Sequence, residues 1–169
     1  MNVGIWNGIW WLVDAFAPDY CRPGDSRVGQ ISAQVNMKGI TMSYTIDRTI
    51  GGATLADVES RTRTALGDAG FGVLTEIDVK ATMKKKIDKD MQGYLILGAC
   101  NPNMAWEAIG MEPKVGAMLP CNVILRETAA GVEVSAVDPQ ASMAGIENGD
   151  LQQVAGQVRE MLRGVVAAI

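Results

Sequence analysis

The chain has 169 residues, 48% of them hydrophobic and 20% charged, with a formal net charge of −4 at pH 7. Those proportions belong to a globular domain with a real core and exclude disorder along the whole length. The acidic balance, with a pI near 4.8, lacks the clustered Lys and Arg that a phosphate-binding face needs. No nucleic acid is therefore expected as a partner, and an anionic membrane surface is disfavoured for the same reason.

The first element in chain order is an apolar stretch from Val3 to Ala17 that carries Trp6, Trp10 and Trp11. No Lys or Arg precedes it, so it does not follow the signal-peptide pattern. It is too short to span a bilayer as a helix, Asp14 interrupts it, and it lacks a basic face; no stable membrane insertion is expected. Met37 and Met42 stand just ahead of the patterned region, which reads the stretch as an accessory or start-site extension. Residues 18–40 read as a linker, broken by Pro18, Pro23, Gly24, Gly29 and Gly39. The expected organisation is a Trp-rich extension and linker over 1–40 and a single α+β domain over 41–169.

From Thr41, the alternation of Met42, Tyr44 and Ile46 with polar residues predicts a half-buried strand. Gly51-Gly52 turns the chain. Thr54 and Asp57 then form the acidic variant of a capping box, opening a helix whose Leu55, Val58, Ala65, Leu66 and Ala69 share a face and which stops at Gly70. Phe71 to Lys80 predicts a second strand, with Phe71, Val73, Thr75, Ile77 and Val79 on one side and Leu74, Glu76 and Asp78 on the other. A short helix follows, its Lys84-Lys85-Lys86 run facing water. Tyr94 to Cys100 is apolar on both faces and predicts an interior strand.

Asn101-Pro102 is a cap followed by proline at the first helical position, and predicts a short helix to about Ile109. Met118 to Arg126 and Gly131 to Val137 read as a hairpin, and Asp138-Pro139 repeats the cap-then-proline start. The last helix, Asp150 to Ile169, carries an apolar stripe of Leu151, Val154, Val158, Met161, Leu162 and Val165, with Asp150 and Gln153 as its capping box. A run of strands between long helices gives the fold class: α+β, a mostly antiparallel sheet of about five strands with helices packed on one face.

The segments GFGVLTEIDVKATMKKK (Gly70 to Lys86), YLILGACNP (Tyr94 to Pro102), VGAMLPCNV (Val115 to Val123) and VSAVDP (Val134 to Pro139) resemble those of a bacterial and archaeal domain of unknown function, family 302. The resemblance covers roughly residues 41–169. It implies a compact fold like that of the TATA-box-binding protein: a strand, a helix, four further strands and a closing helix. It carries no function with it.

The absence of histidine excludes Ser-His and Cys-His pairs and every His-containing zinc site. Cys21, Cys100 and Cys121 are too few and too unevenly placed for a secreted disulfide scaffold, so a reducing cytoplasm is the simplest compartment. Cys100 and Cys121 are the sharpest candidates for chemistry, each followed by asparagine, Asn101 and Asn122. The partial positive charge at the helix start behind Cys100 favours a thiolate there, and neighbouring strands would bring the two Cys-Asn pairs to one end of the sheet. A thiol site for redox or sulfur transfer, or half of a metal site completed by a second chain, is one reading. Two small buried hydrophobes is the other, and it is what free cysteine usually is. Two cysteines alone are no zinc site, and no residue is assigned as a metal ligand.

Secondary candidates are Glu76 and Asp78 as paired carboxylates, Lys84 in its lysine run as an anion holder, and Trp106 as a ring that stacks on a ligand. Each has a plainer reading as solvated charge or packing anchor. No phosphate loop is present, and the sequence assigns no cofactor. The function expected first is a module that binds a small-molecule ligand or serves as an accessory domain. A thiol-dependent redox or sulfur-handling protein comes second, and a structural domain that self-associates as a homodimer third.

Overall fold

A computed structural model describes residues 43–169. The readings of the Val3–Ala17 stretch, the linker, Cys21 and the first residues of the opening strand lie outside the described residues. Five strands, β1 (Thr45–Ile50), β2 (Gly72–Asp78), β3 (Tyr94–Cys100), β4 (Cys121–Thr128) and β5 (Gly131–Val137), make one sheet. All its pairs are antiparallel, in the order β1-β5-β4-β3-β2. Helices α1 (Leu55–Asp68), α2 (Val79–Ile87), α3 (Pro102–Met111), α4 (Pro139–Ser142) and α5 (Gly149–Ala168) connect and cover it, with a 3₁₀ turn at Pro113–Met118. The α+β class, the antiparallel sheet and the element order are those expected.

Local chemistry sets the helix starts. Thr54 Oγ1 accepts from the Asp57 N–H at 3.2 Å while the Thr54 N–H donates to Asp57 Oδ2 at 3.3 Å, a reciprocal capping box. The Thr54 hydrogen bonds also hold the Asp57 carboxyl below its ordinary range. At the other end Gly70 adopts φ +78°, and the Phe71 N–H donates to the Leu66 carbonyl at 2.9 Å, a left-handed stop that suits glycine. For α5 the cap is Asn148, whose Oδ1 accepts from the Leu151 N–H at 3.0 Å. The expected Asp150–Gln153 box is displaced because the cap is Asn148, two residues earlier, leaving Asp150 inside the first turn.

The core lies between the helices and one face of the sheet. Leu97, Val123, Leu125 and Val134 on the strands meet Val58 and Leu66 of α1 and Leu151 and Leu162 of α5, all fully buried. The α5 stripe read from the sequence is the stripe that docks. β3 and β4 are interior strands, and β3 is buried along most of its length as its two apolar faces predict.

Among the described residues no helix lays buried side chains on the other sheet face. There Ile77 stands opposite Ile96, and Ile96 opposite Ile124, an apolar rib across three strands. β2 differs from its expected alternation. Its register shifts between Val73 and Thr75, a bulge at an edge strand. Val73 keeps the core side opposite Ala99, Leu74 is left 67% exposed, and Thr75 and Ile77 turn to the open face. Among the described residues no helix is long and apolar enough to cross a membrane.

Candidate functional site

β3 delivers Cys100 to the end of the sheet, where Asn101 breaks the strand and caps α3. Its Oδ1 accepts from the Asn103 and Met104 N–H groups at 3.1 and 3.3 Å, and Pro102 takes the first helical position. β4 starts at Cys121, directly opposite Ala99. The two cysteines therefore sit at the same end of adjacent strands, but Cys100 follows the residue opposite Cys121, so the ladder turns their side chains towards opposite faces.

Around them lies a cavity of about 30 Å³ between the sheet end, α3 and α5. Cys100, Asn101 and Cys121 line it, together with Phe71, Met104 and Met143, and α5 closes it with Leu151, Ala155 and Val158. Its volume exceeds what a single water needs, but its walls are almost wholly apolar.

Both thiols are uncharged in this setting at neutral pH. Burial pushes Cys121 up to about 11, and the nearby Cys100 adds to the shift; burial also raises Cys100 above its ordinary value. The expected stabilisation of a Cys100 thiolate by the start of α3 is outweighed. Asn101 already takes two of the first-turn N–H groups, and the apolar surround penalises the anion.

The remaining candidates are dispersed. Asn122 is exposed and stands opposite Gly98, so it projects on the other sheet face from Cys121. Glu76, after the bulge, faces the helix side at the sheet edge and pairs with Arg63 of α1, which Glu59 also holds at 2.7 Å. Asp78 caps α2, accepting from the Ala81 N–H at 2.8 Å. The paired carboxylates of the sequence reading thus have separate structural partners. Lys84 binds Asp88 and Asp90 at 2.8 and 3.0 Å, which raises its pKa. Trp106 is 80% exposed on α3 and anchors no packing.

Met104 and Met143 join the site without a signal that sequence reading used. Each follows a cap-then-proline start by a few residues, Asn101-Pro102 and Asp138-Pro139, and those two starts deliver them to the same end of the sheet. Among the described residues no group of three His, Cys, Asp or Glu side chains converges.

No curated protein matches the chain. A solved structure of an uncharacterised conserved DUF302 protein from Bacillus stearothermophilus superposes with a TM-score of 0.70 at 19% identity, covering 74% of this chain and 97% of that one. That likeness is one of fold. The model of the domain of unknown function DUF302 matches residues 46–169, the region that holds the whole sheet from Ile46 and all five helices, and the chain belongs to that family.

Proposed function

We propose that the domain is a small-ligand-binding module and that its ligand occupies the cavity at the Cys100–Cys121 end of the sheet. The observation that carries this reading is the convergence of two strand ends, a capped helix start and the closing helix on one apolar space of about 30 Å³. A cavity with such apolar walls takes a small apolar guest more readily than water. Elevated thiol pKa values work against nucleophilic or disulfide-exchange chemistry at neutral pH, since the thiolate is the reactive form. Binding therefore ranks ahead of thiol catalysis.

Xenon tests the pocket without knowledge of the natural ligand. Dissolved xenon should give saturable chemical-shift changes at Met104, Ala108 and Met143, and Ala108→Leu, which fills the space, should remove them. Unsaturable changes scattered over the surface would defeat the reading.

The apolar rib of Ile77, Ile96 and Ile124 favours a second reading, self-association of two copies through the open sheet face, since Ile77 is 46% exposed there. Sedimentation equilibrium should then find a dimer that Ile124→Lys dissociates. A monomer at high micromolar concentration rejects this second reading.

A further inference from the structure

Two patches of exposed apolar side chains stand at opposite ends of the sheet. One is on α2, which joins the end of β2 at Asp78 to the start of β3 at Tyr94. The other is on α3 and the 3₁₀ turn, which join the end of β3 at Cys100 to the start of β4 at Cys121. The seven residues of β3 run between them, roughly 20 Å of strand.

The α2 patch is basic. Met83 and Ile87 lie four residues apart on one side of the helix, and both are exposed, Ile87 by 60%. The helix buries no residue, and its nine residues are too few to hold a helix in water by themselves, so α2 gains from cover. Five lysines, Lys80, Lys84, Lys85, Lys86 and Lys89, stand here against Asp88 and Asp90. Both aspartates pair with Lys84.

The α3 patch is acidic. Trp106 and Ile109 lie three residues apart on the side of α3 turned away from the buried Ala108, and Met118 is exposed on the 3₁₀ turn. Asn148 Nδ2 donates to the Met111 carbonyl at 3.3 Å, which sets the start of α5 against the end of α3. Glu107, Glu112, Glu147 and Asp150 gather at this end, and Lys114 is the one cation of α3 and the 3₁₀ turn.

Opposite charge at opposite ends makes the molecule complementary to itself. We propose that copies of this chain associate head to tail, the α2 end of one docking on the α3 end of the next. Met83 and Ile87 pack against Trp106 and Ile109, and the lysines of α2 meet the carboxylates beside α3 around them. The contact is heterologous, so copies form a ring if its rotation closes and an open chain if it does not. It uses neither the sheet face of Ile77, Ile96 and Ile124 nor the sheet-end cavity, and it stands apart from both readings above.

Charge exchange tests this on the full chain. In one variant Lys85→Glu and Lys86→Glu make both ends acidic; in the other Glu107→Lys and Glu147→Lys make both ends basic. All four side chains are exposed, so the fold is kept. In sedimentation velocity over a concentration series, the parent should self-associate at low salt. Each variant alone should associate at least about 10-fold more weakly, because like charges then face each other. An equimolar mixture of the two should recover the parent's association, since every reversed end then finds an opposite one. Raising salt from about 50 to about 500 mM should weaken parent and mixture alike. Trp106→Ala, at the apolar centre, should weaken the parent's association by about 10-fold, and Ile124→Lys should leave it unchanged.

A parent that stays monomeric, charge variants or a Trp106→Ala chain that associate as the parent does, or a mixture that recovers nothing would each overturn the proposal. Association lost in Ile124→Lys and kept in both charge variants would assign it to the sheet face instead. Monomers that bind phosphatidylserine vesicles through Lys85 and Lys86 would give α2 to a lipid surface, and would overturn it too.

Discussion

Arg159 on α5 brings its Nε to 2.8 Å from Oδ2 of Asp138, the residue that caps α4, although the N–H is not aimed along a hydrogen bond. Asp138 is 5% exposed, and its other oxygen accepts from the Gln140 and Ala141 N–H groups at 2.9 and 3.4 Å. One carboxylate thus fixes the turn after β5 and ties it to the closing helix. Asp138→Ala removes the cap and leaves a half-buried guanidinium without its anion. It should cost on the order of 3 kcal/mol, whereas Asp138→Asn keeps the cap and should cost less. Urea melts of the two variants decide this; equal and small losses would show that neither contact matters.

The buried thiol predicts how the protein behaves in alkali. Below the ordinary value of 9.0, Cys121 is protonated whether the chain is folded or not, and its full contribution is present. Between pH 9.0 and about 11 the unfolded thiol ionises while the folded one holds its proton, so stability falls as pH rises. The loss levels off once the folded thiol ionises too, after roughly 2–3 kcal/mol at ~1.4 kcal/mol per pH unit. Cys121→Val should flatten that part of the pH profile. Parallel stability curves for the two proteins from pH 8 to 11 would contradict this.

Gly98 should tolerate no side chain. A Cβ there would lie 2.7 Å from the Pro120 ring carbon and against Thr75 Oγ1 on the open face. Gly98→Ala should therefore destabilise by about 1–3 kcal/mol, the usual cost of overpacking. Adding Thr75→Ala should recover part of that loss by clearing one of the two neighbours. Thermal melts of the single and double variants check it, and a Gly98→Ala chain as stable as its parent would show that the two neighbours move aside freely.

Leu162 and Trp106 should respond in opposite ways. Leu162 is fully buried, so Leu162→Ala should cost about 2–5 kcal/mol. Trp106, at 80% exposure, should lose no more than about 0.5 kcal/mol on change to Ala. Denaturant midpoints measured side by side would reverse this assignment if Trp106→Ala were the more damaging.

What the sequence made legible was mostly local. Thr54 with Asp57, Asn101 with Pro102, and Asp138 with Pro139 each start a helix, because a capping side chain and a fixed proline φ act within one turn. The α5 stripe was legible for a similar reason, since its periodicity runs over twenty residues. β2 was read less well. A one-residue bulge exchanges the faces of everything beyond it, and nothing in the side chains from Val73 to Ile77 announces one.

The site was half legible. Cys100, Asn101 and Cys121 could be placed at one end of the sheet because β3 ends and β4 begins there. Met104 and Met143 could not, because their meeting depends on where α3 and the turn after α4 fold over the sheet end. Asn122 was grouped with Cys121 by adjacency alone, and a strand sends neighbours to opposite faces.

The placement of β1 has a consequence for how the chain is made. Its strand partner is β5 alone, and the helix face that closes the core belongs to α5, so the earliest strand waits for the latest elements. While the middle of the domain is being synthesised, β1 is an unpaired edge and α1 lacks its packing against α5. Such long-range closure slows folding and lengthens the exposure of sticky surface. We predict that ribosome-stalled chains ending before Gly131 are cut by protease throughout, and that protection arrives in one step once α5 has cleared the exit tunnel. A protected fragment spanning β1 and α1 in the shorter chains would mean that the amino-terminal half settles by itself, and that its pairing with β5 is a late refinement of a structure already formed.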